Sequence, residues 1–105
     1  MTTLIIHAPQ RQSGKKPFKA VLDDGIGKEY AIGRKHIPKL TSGSKVVLLA
    51  KDLELRAEGI LDKPPVPTDQ YTPQGIRRYN IYIKDLRIVP YKPENLNHWG
   101  ISILE

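Results

Sequence analysis

The chain has no cysteine and only one tryptophan, one phenylalanine and one methionine among its 105 residues. Without cysteine there is no disulfide frame, no thiolate metal site and no cysteine nucleophile. That composition suits a reducing compartment, and the expected location is cytoplasmic. Long apolar runs are also missing. The longest is Val46 to Ala50, against the roughly 20 residues a membrane helix needs. The first residues, MTTLIIHAPQ, lack the basic start and apolar stretch of a secretory signal. Enzyme signatures are scarce. Gly25-Ile26-Gly27 lacks the third glycine of a dinucleotide fingerprint, and Ser13-Gly14-Lys15-Lys16 lacks both the upstream glycine and the magnesium-binding hydroxyl of a phosphate loop. His7, His36 and His98 share no metal-ligand spacing, so no metal or cofactor is expected. The Asp23-Asp24 pair sits in a glycine turn, where such side chains cap backbone groups.

What is present is a chain of single-domain length with 39% hydrophobic residues and a formal charge of +6. Residues 1–45 hold nine lysines and arginines against three acids, and residues 46–105 hold eight of each, so the whole excess lies in the first part. A basic surface attracts phosphates, although it also serves simply to keep a protein soluble.

Strand signals dominate. Residues 3–7 are β-branched and apolar, and 9–17 read as a loop. Residues 18–22 and 29–32 flank the Asp-Asp-Gly turn as a hairpin, unless 18–24 forms one or two helical turns instead. Pro38 makes 34–40 a short helical turn rather than a central strand. The unbroken apolar run inside Lys45–Lys51 predicts a strand covered on both faces. Leu53, Leu55 and Ala57 then alternate with polar residues, giving a hairpin around Lys51-Asp52. Gly59 marks a bulge or bend. Residues 63–75 hold four of the nine prolines and read as a long exposed loop. Tyr79, Ile81 and Ile83 alternate with Arg78, Asn80, Tyr82 and Lys84 in a strand that continues or restarts at 86–89. Residues 90–97 are irregular, with a helical turn at 93–97. Trp99, Ile101 and Ile103 share one face of a last strand, with Trp99 as a core anchor or as one wall of a base pocket. Six or seven short strands with one or two helical turns predict a mainly β fold, a small closed or nearly closed barrel, as one domain over 1–105.

Two constellations carry chemistry. Arg34, Lys35, His36 and Lys39 follow a strand bearing Tyr30, so basic groups there could grip phosphates while the ring stacks on a base. On the 77–84 strand, Arg78, Asn80, Tyr82 and Lys84 share a face. They supply phosphate neutralisation, a stacking ring and a base-edge reader. Each set reads equally as a solvated polar surface.

The central segment is similar to a PUA-like domain of the EVE or ASCH type. The resemblance spans about residues 28–104. It is carried by Tyr30-Ala31-Ile32-Gly33-Arg34-Lys35-His36-Ile37, the Ser42-Gly43-Ser44-Lys45 turn, Val46-Val47-Leu48-Leu49-Ala50 and Leu55-Arg56-Ala57-Glu58-Gly59-Ile60-Leu61. Gly43-Ser44 stands where the family has Gly-Asp. The resemblance implies a small pseudobarrel whose relatives bind RNA or modified nucleobases, the latter in an aromatic pocket for which this chain offers a single tryptophan. Some relatives of the ASCH type are amidohydrolases of acylated nucleosides using a Lys, a Thr and a Glu. Lys19, Thr41 and Glu58 supply those residue types without a shared local motif. The expected partner is therefore RNA or another single-stranded nucleic acid. The alternatives are a nucleoside amidohydrolase and an adaptor that docks through the proline-rich 63–75 loop with Tyr71.

Overall fold

The apolar run at the middle of the chain forms the middle of a sheet. The computed structural model describes residues 2–8, 16–92 and 101–104. Its elements are β1 (Thr3–His7), α1 (Phe18–Asp24), β2 (Ile26–Ala31), a 3₁₀ turn (Arg34–Lys39), β3 (Lys45–Ala50), a short 3₁₀ turn (Lys51–Leu53), β4 (Leu55–Leu61), β5 (Val66–Tyr71), β6 (Arg77–Val89) and β7 (Ile101–Leu104). Seven strands form one sheet in the order β2-β6-β4-β3-β1-β7, with β5 paired to β6 beside that path. The β1–β3 pair is parallel and all other pairs are antiparallel. The fold is mainly β, and the sheet is strongly curled into a half-barrel.

Period-two alternation decides what the curl encloses. Leu4 and Ile6 of β1, Val46 and Leu48 of β3, Tyr30 of β2 and Tyr79, Ile81 and Ile83 of β6 belong to one buried cluster with Phe18 and Val21 of α1. The curl brings β2 across to β1 although four strand pairings separate them: a Cβ at Gly27 would lie 3.6 Å from Ile6 Cδ1. The opposite face of β1 and β3 buries Ile5, Val47 and Leu49, with Tyr91 packed against them. β3 is thus covered on both sides, as its unbroken apolar run requires. Each such fully buried aliphatic side chain contributes about 1.5–3 kcal/mol relative to exposure.

The hairpin around Lys51-Asp52 is present, with β3 and β4 paired from Lys45↔Ile60 to Ala50↔Leu55. Gly59 sits at a register shift between β4 and β6. A Cβ there would come within 2.8 Å of Lys84 O and 2.9 Å of Ile83 Cγ2, so the two strands touch only because the side chain is absent. β6 continues through Asp85, whose φ of 56° makes the bulge. In β7, Ile101 and Ile103 pack against the larger cluster. Trp99, His98, the 93–97 turn and most of the 9–17 loop lie outside the described residues.

One open reading is decided and one expectation is corrected. Residues 18–24, open between a hairpin arm and helical turns, are helix α1. Phe18, Val21 and Leu22 have helical i, i+3, i+4 spacing, Pro17 precedes the helix and Gly25 closes it at φ 71°. Asp24 Oδ1 accepts from the Ile26 N–H at 3.0 Å, the backbone-capping role expected of that pair. The 63–75 segment is not a free loop, because it contains β5. Val66 and Pro67 pair with Asn80 and Tyr79, Tyr71 pairs with Arg77, and the Thr68 hydroxyl donates to Arg78 O at 2.9 Å. Prolines are compatible with a strand at a sheet edge, and composition alone concealed it.

Candidate functional site: a basic aromatic cleft at the mouth of the curl

The inward-facing row of β6 runs Arg77, Tyr79, Ile81, Ile83. Ile81 is fully buried, Tyr79 is 9% exposed and Arg77 is exposed, so the core opens to solvent at the start of this strand. A cleft of about 490 Å³ occupies that opening, lined by Ile32, Gly33, Arg34, Tyr71, Gly75, Ile76, Arg77 and Tyr79. Three segments build it. The end of β2 supplies Ile32, whose N–H donates to Arg77 O at 3.4 Å, and then leads into Arg34 at the 3₁₀ turn. The β5–β6 hairpin supplies Tyr71, Ile76 and Arg77. Tyr79 lies beneath.

The hairpin tip is held by its own short bonds. Thr72 N–H donates to Ile76 O at 2.8 Å, Gly75 N–H to Thr72 O at 2.9 Å, and Ile76 N–H to the Thr72 hydroxyl at 3.1 Å. These bonds fix the two apolar groups at its base, Tyr71 and Ile76, which are 52% and 41% exposed. The Arg77 guanidinium lies 5.1 Å from the Tyr71 ring centroid and also donates to its hydroxyl. Such a cation–π pair orients both groups and leaves Arg77 most of its five donors. Arg34 is exposed and has no hydrogen-bond or ion-pair partner among the described residues. Among the described residues no carboxylate lines the cleft. The arrangement is an apolar floor flanked by a ring and two guanidinium groups, suited to a flat aromatic ligand bearing negative charge.

The residues singled out from the sequence separate in space. Arg34 lines the cleft. Lys35 and Lys39 are exposed on the same 3₁₀ turn, but three-residue periodicity stacks Arg34 over Ile37 and turns those two lysines elsewhere. Tyr30 is corrected: it is 1% exposed, paired with Tyr79 in the core, and has no ring face to offer a base. Burial pushes its hydroxyl pKa up to about 12.

Arg78, Asn80, Tyr82 and Lys84 do share one face of β6, the face turned away from the cleft, and each has a neighbour there. Arg78 Nη1 donates to Glu29 O at 3.1 Å, and Asn80 Oδ1 accepts from the Glu29 N–H at 3.1 Å. Both therefore hold the β2 bulge, where Glu29 has φ 60°. Lys63 Nζ lies 4.3 Å over the Tyr82 ring, and Lys84 faces Asp62 at 4.0 Å. Sequence reasoning missed Arg77 and Ile76, and it assigned Tyr71 to a loop. The signal available was the short spacing from Tyr71 to Arg77, which closes a hairpin once β5 is recognised.

None of Lys19, Thr41 and Glu58 lines the cleft. Lys19 is exposed on α1 and Thr41 is exposed in the turn before β3. Glu58 lies across from Val47, on the sheet face away from the main core, and is paired with Arg56 and Lys45. Among the described residues no group of three or more His, Asp or Glu side chains could hold a metal ion, and no helix is long and apolar enough to cross a membrane.

The chain matches no family model, no curated protein and no solved structure.

Proposed function

We propose that this protein is a small nucleic-acid-binding domain that takes single-stranded RNA, or a modified nucleobase within it, at the cleft between Arg34 and Tyr71–Arg77. The observation that carries this reading is the exposed Tyr71 ring in cation–π contact with Arg77, beside Arg34 and over an apolar floor, with no partner for Arg34 and no carboxylate in the lining among the described residues. Aromatic rings and guanidinium planes are what unpaired bases stack on, and cationic side chains neutralise their phosphates. Membership of the PUA-like superfamily is part of the same proposal. It is supported by the curled β sheet, the helix after β1 and the 3₁₀ turn before β3. A cytoplasmic location is proposed with it, from the cysteine-free composition.

The test is fluorescence anisotropy with labelled single-stranded RNA. Binding is expected to weaken steeply with salt. Tyr71→Ala is expected to cost about 1–3 kcal/mol, the usual worth of one stacked base. Absence of binding to any single-stranded or structured RNA at low salt would overturn the reading.

A further inference from the structure

Resting on that reading, we infer that the cleft recognises a phosphate monoester carried on an aromatic nucleoside, and not an internal nucleotide of a continuous strand. Three observations lead there.

The first is charge. Two guanidinium groups, Arg34 and Arg77, line one small cleft, with no carboxylate beside them among the described residues. An internal phosphodiester brings one negative charge. A terminal monoester brings about 1.5 to 2 at pH 7 and three accepting oxygens, which matches two forked donors better.

The second is size. The opening of about 490 Å³ is that of a site for one small ligand, not for a run of nucleotides.

The third is the surface beyond it. A strand threading through the cleft would need a basic track leading away. On the outward face of β6 the polar groups of Arg78 and Asn80 are bonded to the Glu29 backbone, the Tyr82 ring is capped by Lys63, and Lys84 faces Asp62. That face offers no open track.

The chemistry comes from either a phosphorylated strand end or a free mononucleotide, and the experiment separates the two. The full chain is titrated with one short single-stranded RNA bearing a 5′-phosphate, a 3′-phosphate or hydroxyls at both ends, and with a nucleoside monophosphate. A hydroxyl-ended RNA two nucleotides longer controls for the added charge. A phosphorylated end is expected to bind about tenfold tighter than both hydroxyl-ended strands, as charge-assisted hydrogen bonds would give. If the mononucleotide alone matches the phosphorylated strand, the source is the free nucleotide; if it binds far more weakly, the source is the strand end. Either outcome supports monoester recognition. Arg34→Gln, an exposed change whose folding is checked by thermal melt, is expected to weaken every strand and to bring phosphorylated and hydroxyl ends to equal affinity; a preference that survives the change counts against the inference. The preference should also shrink below about pH 6, where the monoester takes up its second proton. Equal affinity for phosphorylated and hydroxyl ends, with binding itself intact, overturns this inference and leaves nucleic-acid binding standing. Failure of every ligand to bind overturns both.

Discussion

Glu58 shows how single residues on this sheet are tuned. Burial would raise its carboxyl pKa. The hydrogen bond from Arg56 and the charges of Lys45 and Arg56 outweigh it and hold the group below its ordinary value of 4.5. A carboxyl depressed in the folded state contributes stability that is complete above its ordinary pKa and is lost as pH falls through the folded-state value. Glu58→Gln should therefore be destabilising at pH 7. Its deficit against the wild type should shrink on acidification to about pH 3, read by urea melts at both pH values; a deficit that stayed constant would contradict the pairing. Tyr30 makes the complementary case. Its ring is core, so Tyr30→Ala should cost about 3–5 kcal/mol of stability by leaving a cavity, measured by chemical denaturation. Its fate was not legible from the sequence, because alternation fixes only which residues share a face. On β6, Tyr79, Ile81 and Ile83 were separable from Arg78, Asn80 and Tyr82 by period two, but what covers Tyr30 of β2 depends on a distant pairing.

At the scale of elements, β3 and the β3–β4 hairpin were readable because local signals agree: an apolar run, a turn and then alternation. α1 and β5 were harder because their signals conflict. Seven residues from Phe18 to Asp24 are too few for helical periodicity to overrule a nearby Gly turn. The prolines of 63–75 mark a loop by composition, although Val66–Tyr71 is an edge strand that tolerates them. Close strand contacts are a second elemental property. Gly25 caps α1, and an added Cβ would lie 2.5 Å from Ile83 O; Gly59 lets β4 approach β6. Gly59→Ala should be destabilising by about 1–3 kcal/mol, the usual cost of forcing atoms into a filled space. A thermal melt checks this, and an unchanged midpoint would mean that the two strands can separate at no cost.

For the whole molecule, the curl brings together what the chain keeps apart. Arg34 belongs to the basic first part and Arg77 to the part that is neutral overall. They line one cleft because β2 and β6 pair antiparallel and the hairpin tip folds beside their junction. Charge counting located half of this site. One charge of the first part's excess is offset from the other part, Lys45 by Glu58. Under the proposed function, a ligand enters the mouth of the curl and not the outer face of β6. Backbone amide shifts followed by NMR during titration with 5′-phosphorylated single-stranded RNA test this most directly. The largest changes are expected on Arg34, Tyr71, Ile76 and Arg77; changes centred on Asn80, Tyr82 and Lys84, with the cleft residues unmoved, would contradict entry at the mouth of the curl.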